Sequence, residues 1–268
     1  MARSILINCF FILYSLTVSG QQITGHPFDT TGLQSISIDQ MGQLYYVYED
    51  GRLHTFNQNK LWTYYNDFGS ITEIDVSNPQ KLLLFYKELQ RVIILDNRLA
   101  EIQEMDLELV TSGIITLVKM SRRNDLWIYD EIRRELSHVN QQGEVLSISE
   151  PIYYYNEHFI PDQMQIIDNF ILLMSEENEV MVYDNFGQFV NIFSVKCNGS
   201  LQITNTRAYC LEKGILYWER LQADNEITLD NEHKYLISIN NIRSFDVNNL
   251  RLVVQKNDGA IQLVPLEN

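Results

Sequence analysis

The chain has 268 residues, with 20 Lys and Arg set against 35 Asp and Glu for a formal charge of −15. That balance excludes the clustered bases that nucleic acid or an anionic membrane surface requires, while leaving room for a basic protein partner. A hydrophobic share of 45% with fifteen tyrosines suits a packed core and excludes disorder.

Residues 1–20 read as a signal peptide. Arg3 supplies a positive start, residues 5–16 are mostly apolar, and Val18-Ser19-Gly20 precede Gln21 as a cleavage site requires. The apolar run is short for a bilayer span, and no other segment is a transmembrane candidate; an uncleaved anchor or a buried first strand are the alternatives. Export is therefore expected, with residues 21–268 as one mature domain.

Beyond the leader a single pattern recurs. Two runs of branched and aromatic residues flank a short polar turn at 44–48 and 52–56, 82–86 and 91–95, 126–130 and 135–139, 170–174 and 180–183, 207–211 and 215–218, and 252–255 and 261–264. Such runs favour pleated strands, and Asp50-Gly51 and Asp258-Gly259 are the sharpest hairpin turns. Turn centres near 50, 89, 132, 177, 213 and 258 give a period of roughly forty residues.

A second turn follows five of the hairpins: Asn57-Gln58-Asn59, Asp96-Asn97-Arg98, Asn140 to Gly143, Asp184 to Gly187 and Asp224-Asn225. Each leads into a strand-like segment, at 61–65, 99–105, 145–148, 189–195 and 227–229. Another short strand precedes each hairpin. Four antiparallel strands in about forty residues make a propeller blade. Runs such as 82–85 and 170–174 are apolar at consecutive positions, as expected of sheets covered on both faces. A two-sheet sandwich explains the period less well. The fold class predicted is all-β, a six-bladed β-propeller of four-stranded antiparallel blades. The sixth unit ends after its third strand, so an N-terminal strand near Ile23-Thr24 is expected to close it and remove the open edges.

These residues carry a resemblance. Ile38-Asp39-Gln40-Met41-Gly42-Gln43-Leu44-Tyr45 and Val182-Tyr183-Asp184-Asn185-Phe186-Gly187 resemble the repeats of NHL, YWTD and related six-bladed propellers, and Leu216-Tyr217-Trp218-Glu219 echoes the YWTD motif. With the exported character, the chain also looks like the propellers of bacterial envelopes that carry type IX secretion. The resemblance implies a periplasmic location, or the periplasmic side of the outer membrane, and an accessory role in an envelope complex.

Chemistry is sparse. His26, His54, His138, His158 and His233 fall on different units without ligand spacing, and no phosphate loop, nucleophile elbow or calcium loop is present. Lactonase-like propellers gather acidic and amide side chains on a divalent ion at the axis. Here Asp39, Asp75 and Asp246 sit near the ends of first strands, where Asp also opens turns for backbone reasons. No catalytic residue, cofactor or metal ligand is assigned. Cys197 and Cys210 are candidates for a disulfide, which an oxidising compartment permits; burial as free thiols is the alternative. The segment Pro151–Pro161 carries Tyr153, Tyr154, Tyr155 and Phe159, a candidate partner-binding patch unless these rings fill a gap between blades. The function expected is a non-catalytic protein-binding subunit of an envelope complex. The alternative is a ligand-binding or metal-dependent hydrolytic propeller with its site on the axis.

Overall fold

The computed structural model describes residues 30–57, 60–223, 227–229, 235–237, 239 and 241–266, and the strand backbone at 15–16 and 21–22. It is a six-bladed β-propeller. Blade I consists of Leu33–Ile38, Leu44–Tyr48, Leu53–Asn57 and Lys60–Tyr64, and blade II of Glu73–Asn78, Lys81–Tyr86, Arg91–Asp96 and Glu101–Asp106. Blade III is built from Ile115–Met120, Leu126–Asp130, Glu135–Val139 and Val145–Ile148, and blade IV from Pro161–Ile167, Phe170–Ser175, Glu179–Asp184 and Phe189–Ser194. Within each blade, neighbouring strands pair in chain order and antiparallel. First strands of successive blades contact one another around the axis.

Blade V departs from the expected plan. Ser200–Ile203, Arg207–Glu212 and Ile215–Ala223 form its first three strands. The segment expected as its fourth, Ile227–Leu229, instead folds back on the far end of the third, pairing Leu221 with Leu229. The fourth strand is Tyr235–Ile237, opposite Leu216 to Trp218. The third strand runs nine residues and so offers two stretches of edge. Ser15–Leu16, inside the candidate signal peptide, lies parallel along Leu236 and Ile237; the rest of residues 1–20 lies outside the described residues.

Blade VI has Ile242–Val247, Arg251–Lys256 and Ile261–Pro265 from the C-terminal end and Gln21–Gln22 as its fourth strand, antiparallel with Gln21 opposite Leu263. The ring is thus closed by the segment that follows the candidate signal peptide, two residues before the expected Ile23-Thr24, which lie outside the described residues.

The consecutive apolar runs have a direct cause. In blade II, Leu82 and Leu84 pack with Tyr45, Val47 and Leu53 of blade I, while Leu83 and Phe85 pack with Val118, Leu126 and Ile128 of blade III. Alternate side chains serve opposite neighbours, so one strand feeds two cores. Further clusters join blades III and IV, IV and V, V and VI, and VI and I. Each fully buried Leu or Ile contributes about 1.5–3 kcal/mol relative to exposure.

The recurrent turn motif is also physical. Oδ1 of Asp39 accepts from the backbone N–H of Met41 and Gln43, at 2.9 and 2.8 Å. Asp96 does the same for Arg98 and Ala100, Asn140 for Gln142 and Glu144, and Asp184 for Phe186 and Gln188. A short acceptor side chain thus pins each turn. At Gly51, φ is +85° and an added Cβ would stand 2.1 Å from the Gly69 carbonyl oxygen, so the first hairpin turn excludes any side chain.

Candidate functional site

Two regions gather chemistry on one face or along the axis. The axial region is built by register. One residue of each first strand stands at the same level: Ser37 opposite Tyr45, Asp75 opposite Leu83, Lys119 opposite Trp127, Gln165 opposite Leu172, Gln202 opposite Tyr209, and Asp246 opposite Val253. All six line the axial space, whose wider part has a volume of about 620 Å³.

Most of this ring is spent on holding blades together. Asp75 Oδ2 accepts from Met120 N–H at 2.8 Å, Asp246 Oδ2 from Ile38 N–H at 2.7 Å, and Gln165 Oε1 from Ile203 N–H at 2.9 Å. Each bond runs from one blade to the backbone of the next. Gln202 reverses the direction and donates to the Phe245 carbonyl at 3.1 Å. Lys119 has no acceptor to offer and turns to Glu73 of blade II, Nζ to Oε1 at 2.7 Å.

Burial shapes the ionisation here. It pushes the Glu73 carboxyl up, against the opposing pull of Lys119. Burial would lower Lys119, but the charges of Glu73, Asp75 and Asp246 outweigh it and hold the ammonium above its ordinary value. Asp246 is raised to about 6 by burial, against the N–H groups of Ile38 and Val247 and the Lys119 charge. Of the three axial candidates, Asp75 and Asp246 reach the channel, whereas buried Asp39 stays in its own turn. Among the described residues no three His, Cys, Asp or Glu side chains group as a metal site would need.

The second region is the link from blade III to blade IV. A single 3-10 turn, Ile152–Tyr154, is anchored by Ile152, which is fully buried beneath it. Phe159 does not belong to the exposed patch. At 1% exposure it packs in the core between blades III and IV, because the link must plug the gap it crosses. The tyrosines remain outside. Tyr154 is 67% exposed, and its ring meets that of Tyr153 edge-on at 4.8 Å. Tyr155 is half-turned inward: its ring stacks on Phe189 at 3.9 Å, and its hydroxyl donates to Glu150 at 2.7 Å. That bond, with burial second, pushes the Tyr155 phenol up to about 12. Arg134 braces the platform by donating to the carbonyls of Glu157 and Phe159 at 2.9 and 2.6 Å, with its guanidinium 5.8 Å from the Tyr153 ring centre. Carboxylates surround it, with Glu135 acting on Tyr153 and Glu176 and Glu177 acting on Asp162.

The histidines are not brought together. His54 is buried against Tyr48, His138 stacks on Trp127, and His158 is exposed on the link; His26 and His233 lie outside the described residues. The Cys197 and Cys210 sulfur atoms stand 1.98 Å apart, with their Cα atoms at 5.7 Å. Lys119 was missed by sequence reasoning, although its place in the repeat, level with Asp75 and Asp246, was available as a signal.

No known family model matches the chain, and no curated protein is similar to it in sequence. The fold is nevertheless widely shared. The structure is similar to virginiamycin B lyase from Staphylococcus aureus, with a TM-score of 0.60, 11% identity, and coverage of 90% of this chain and 83% of that one. A chain of the mitotic checkpoint complex gives 0.57 and 8%, covering 88% and 75%. BamB from Moraxella catarrhalis gives 0.51 and 12%, covering 87% and 84%. At such identities the likeness establishes a shared propeller architecture, on which an enzyme and a subunit of a protein assembly both occur.

Proposed function

We propose that this chain is an exported, non-catalytic protein-binding subunit of a bacterial envelope complex, docking a partner on the tyrosine platform between blades III and IV. The observation that carries this is the exposure of Tyr153 and Tyr154 on a turn whose base is fixed by buried Ile152 and Phe159. Rigid aromatic surface on an immobile base loses little entropy on docking. Export rests on the signal-peptide pattern of residues 1–20; cleavage after Gly20 would remove Ser15–Leu16 from the edge of blade V and leave Gln21–Gln22, the strand that completes blade VI, as the new N-terminus. An oxidising destination suits the proposed Cys197–Cys210 bridge.

Copurification from native membranes, with a photo-crosslinker in place of Tyr154, tests the reading. A stoichiometric partner captured there, and lost in the Tyr153→Ala, Tyr154→Ala double variant at unchanged thermal midpoint, is expected. A lone monomer throughout overturns it. N-terminal sequencing of the native protein checks for a start at Gln21. The axial cavity favours a second reading, a polar ligand held beside Lys119 and Glu73. A metabolite that binds the intact protein but not a Lys119→Met variant, with partner capture unaffected, would establish that reading instead.

A further inference from the structure

The tyrosine platform is one end of a longer surface. On the face that carries the links between blades, the hairpin tips and links of blades II to IV form an unbroken run. Leu107 N–H donates to the Gln90 carbonyl at 2.8 Å, Glu131 N–H to the Ile114 carbonyl at 2.9 Å, and Ile152 N–H to the Arg134 carbonyl at 2.8 Å. Leu89, Leu109, Ile114, Ile132 and Ile160 stand exposed along it, in line with Tyr153 and Tyr154. Leu109, Ile132 and Ile160 are 86, 67 and 68% exposed. On the tips and links of the other blades, among the described residues, only Tyr65 and Ile215 are large, apolar and exposed. A concentration of apolar surface on one sector of one face marks an interaction site.

The same run is acidic. Glu88, Glu108, Glu131 and Glu157 are exposed on it, and none is in an ion pair among the described residues. Asp162, Glu176 and Glu177 extend the negative field beyond Ile160. Arg91 is offset by Glu104 and Asp106, and Arg133 by Asp130 beneath it. Arg133 also donates to the hydroxyls of Thr111 and Ser112 at 3.1 and 3.0 Å, stapling tip to link. Lys87, which lines the axial cavity, Arg134, held by the carbonyls of Glu157 and Phe159, and His158 are the bases left against all of these carboxylates. The tips of blades I and V instead pair their own charges, Asp50 with Arg52 and Glu212 with Lys213.

That charge decides between occupants. A second copy would bring like charge against like, and an anionic membrane surface is repelled in the same way. A basic protein is attracted. The backbone sets the form of the docked segment. Strand edges lie on the rim, so this face offers side chains and no ladder to extend. A segment lying here must pair its own backbone, as a helix does. We propose that the arc from Leu89 to Ile160 docks a basic amphipathic helix of a partner protein. Its apolar stripe lies on Leu109, Ile132 and Tyr154, and its Lys and Arg side chains reach Glu88, Glu108, Glu131 and Glu157. The inference rests on the protein-binding reading above, and adds to it the chemistry of the partner and a footprint that crosses blade III to blade II.

The test titrates the full chain with synthetic helical peptides of about eighteen residues, five turns, followed by backbone amide NMR. One peptide carries a Leu stripe and a Lys face, a second has every Lys replaced by Glu, and a third shuffles the first so that the stripe is broken. The first is expected to shift the amides of Leu89, Leu109 and Ile132, with an affinity that falls as salt is raised. The shuffled peptide should bind at least about tenfold more weakly and the Glu peptide more weakly still. Leu109→Ser with Ile132→Ser, and Glu108→Lys with Glu131→Lys, all at exposed positions, are expected to weaken binding at unchanged thermal midpoint. No shift at those amides overturns the proposal, as does equal binding of the shuffled peptide. Light scattering that shows a dimer abolished by Leu109→Ser would assign the arc to a second copy and overturn it also. A photo-crosslinker in place of Leu109 separates this inference from the reading beneath it. Failure of that reading appears as a lone monomer in copurification; failure of the arc appears as a partner captured from Tyr154 and not from Leu109.

Discussion

The junction between blades II and III and the junction between blades III and IV are built on the same plan and end differently. On blade II, Leu83, Ile94 and Gln103 lie opposite one another across three strands, facing blade III. On blade III the equivalent row is Trp127, His138 and Ser147, facing blade IV. Gln103 is long enough to cross the rim and donates from Nε2 to the Gln141 carbonyl at 2.5 Å. Ser147 stands in the same place without that reach. One junction is therefore zipped to its edge, and the other opens into a cleft of about 440 Å³ lined by Trp127, His138, Phe170, Ile171 and Phe186. The difference teaches that the inner strands answer to packing, which every blade shares, while the outermost residue of each row decides whether a blade boundary is sealed or available.

The largest effect is expected at the floor of the open junction. Trp127 is 3% exposed, and Trp127→Ala should cost about 3–5 kcal/mol, read from urea unfolding. Leu83→Ala, at the matching place in the sealed junction, should cost about 2–5 kcal/mol. A loss well under 1 kcal/mol for Trp127→Ala would mean that the open junction has no true core beneath it. Next comes the junction between blades IV and V, where the proposed Cys197–Cys210 bridge ties the entering link to the second strand. Its thirteen-residue separation gives about 3 kcal/mol on the chain-entropy model. Cys197→Ser should lower stability by that amount, and thiol alkylation of the native protein should label neither cysteine.

Smaller effects sharpen the comparison directly. Gln103→Ser removes one hydrogen bond across the sealed rim and should cost about 0.5–1.5 kcal/mol. The reciprocal change, Ser147→Gln, should leave stability within about 0.5 kcal/mol while closing the cleft. Slower hydrogen exchange at the Trp127 and His138 amides in Ser147→Gln, with the fold intact by circular dichroism, would trace the whole contrast to one side-chain length. Unchanged exchange would show that reach does not govern the opening.

The ring was legible because its causes are local. Alternation of side chains between two neighbouring blades writes consecutive apolar residues, and pinned turns write Asp or Asn at fixed offsets. The period then follows from one four-stranded unit. Blade V was misread at its fourth strand because Ile227-Thr228-Leu229 and Tyr235-Leu236-Ile237 are both short runs of strand-favouring residues, and only the nine-residue third strand decides which pairs inward. At the platform, Tyr153 to Tyr155 and Phe159 are equally aromatic in sequence. Their separation into three outer rings and one buried plug depends on the path of the link. Lys119 and Gln103 carry no motif; their roles arise from partners on other blades, which a single chain of letters does not bring together.

The last expectation concerns pH. Burial, with Arg123 adding to it, holds the His138 imidazole below its ordinary 6.5, against the pull of Asp125. The folded chain therefore keeps this ring neutral at pH values where the unfolded chain already protonates it. The unfolded state binds more protons in that window, so stability is full above 6.5 and falls as pH drops through the folded value. His54, also lowered by burial, contributes in the same direction and is common to both proteins compared. His138→Ile installs the residue that blade II carries at this place, Ile94. Urea midpoints measured from pH 7.5 down to about 5 should decline less steeply for the variant than for the parent. Parallel curves would mean that the open junction hydrates His138 as freely as an exposed imidazole, and the cleft floor would then be wet rather than apolar.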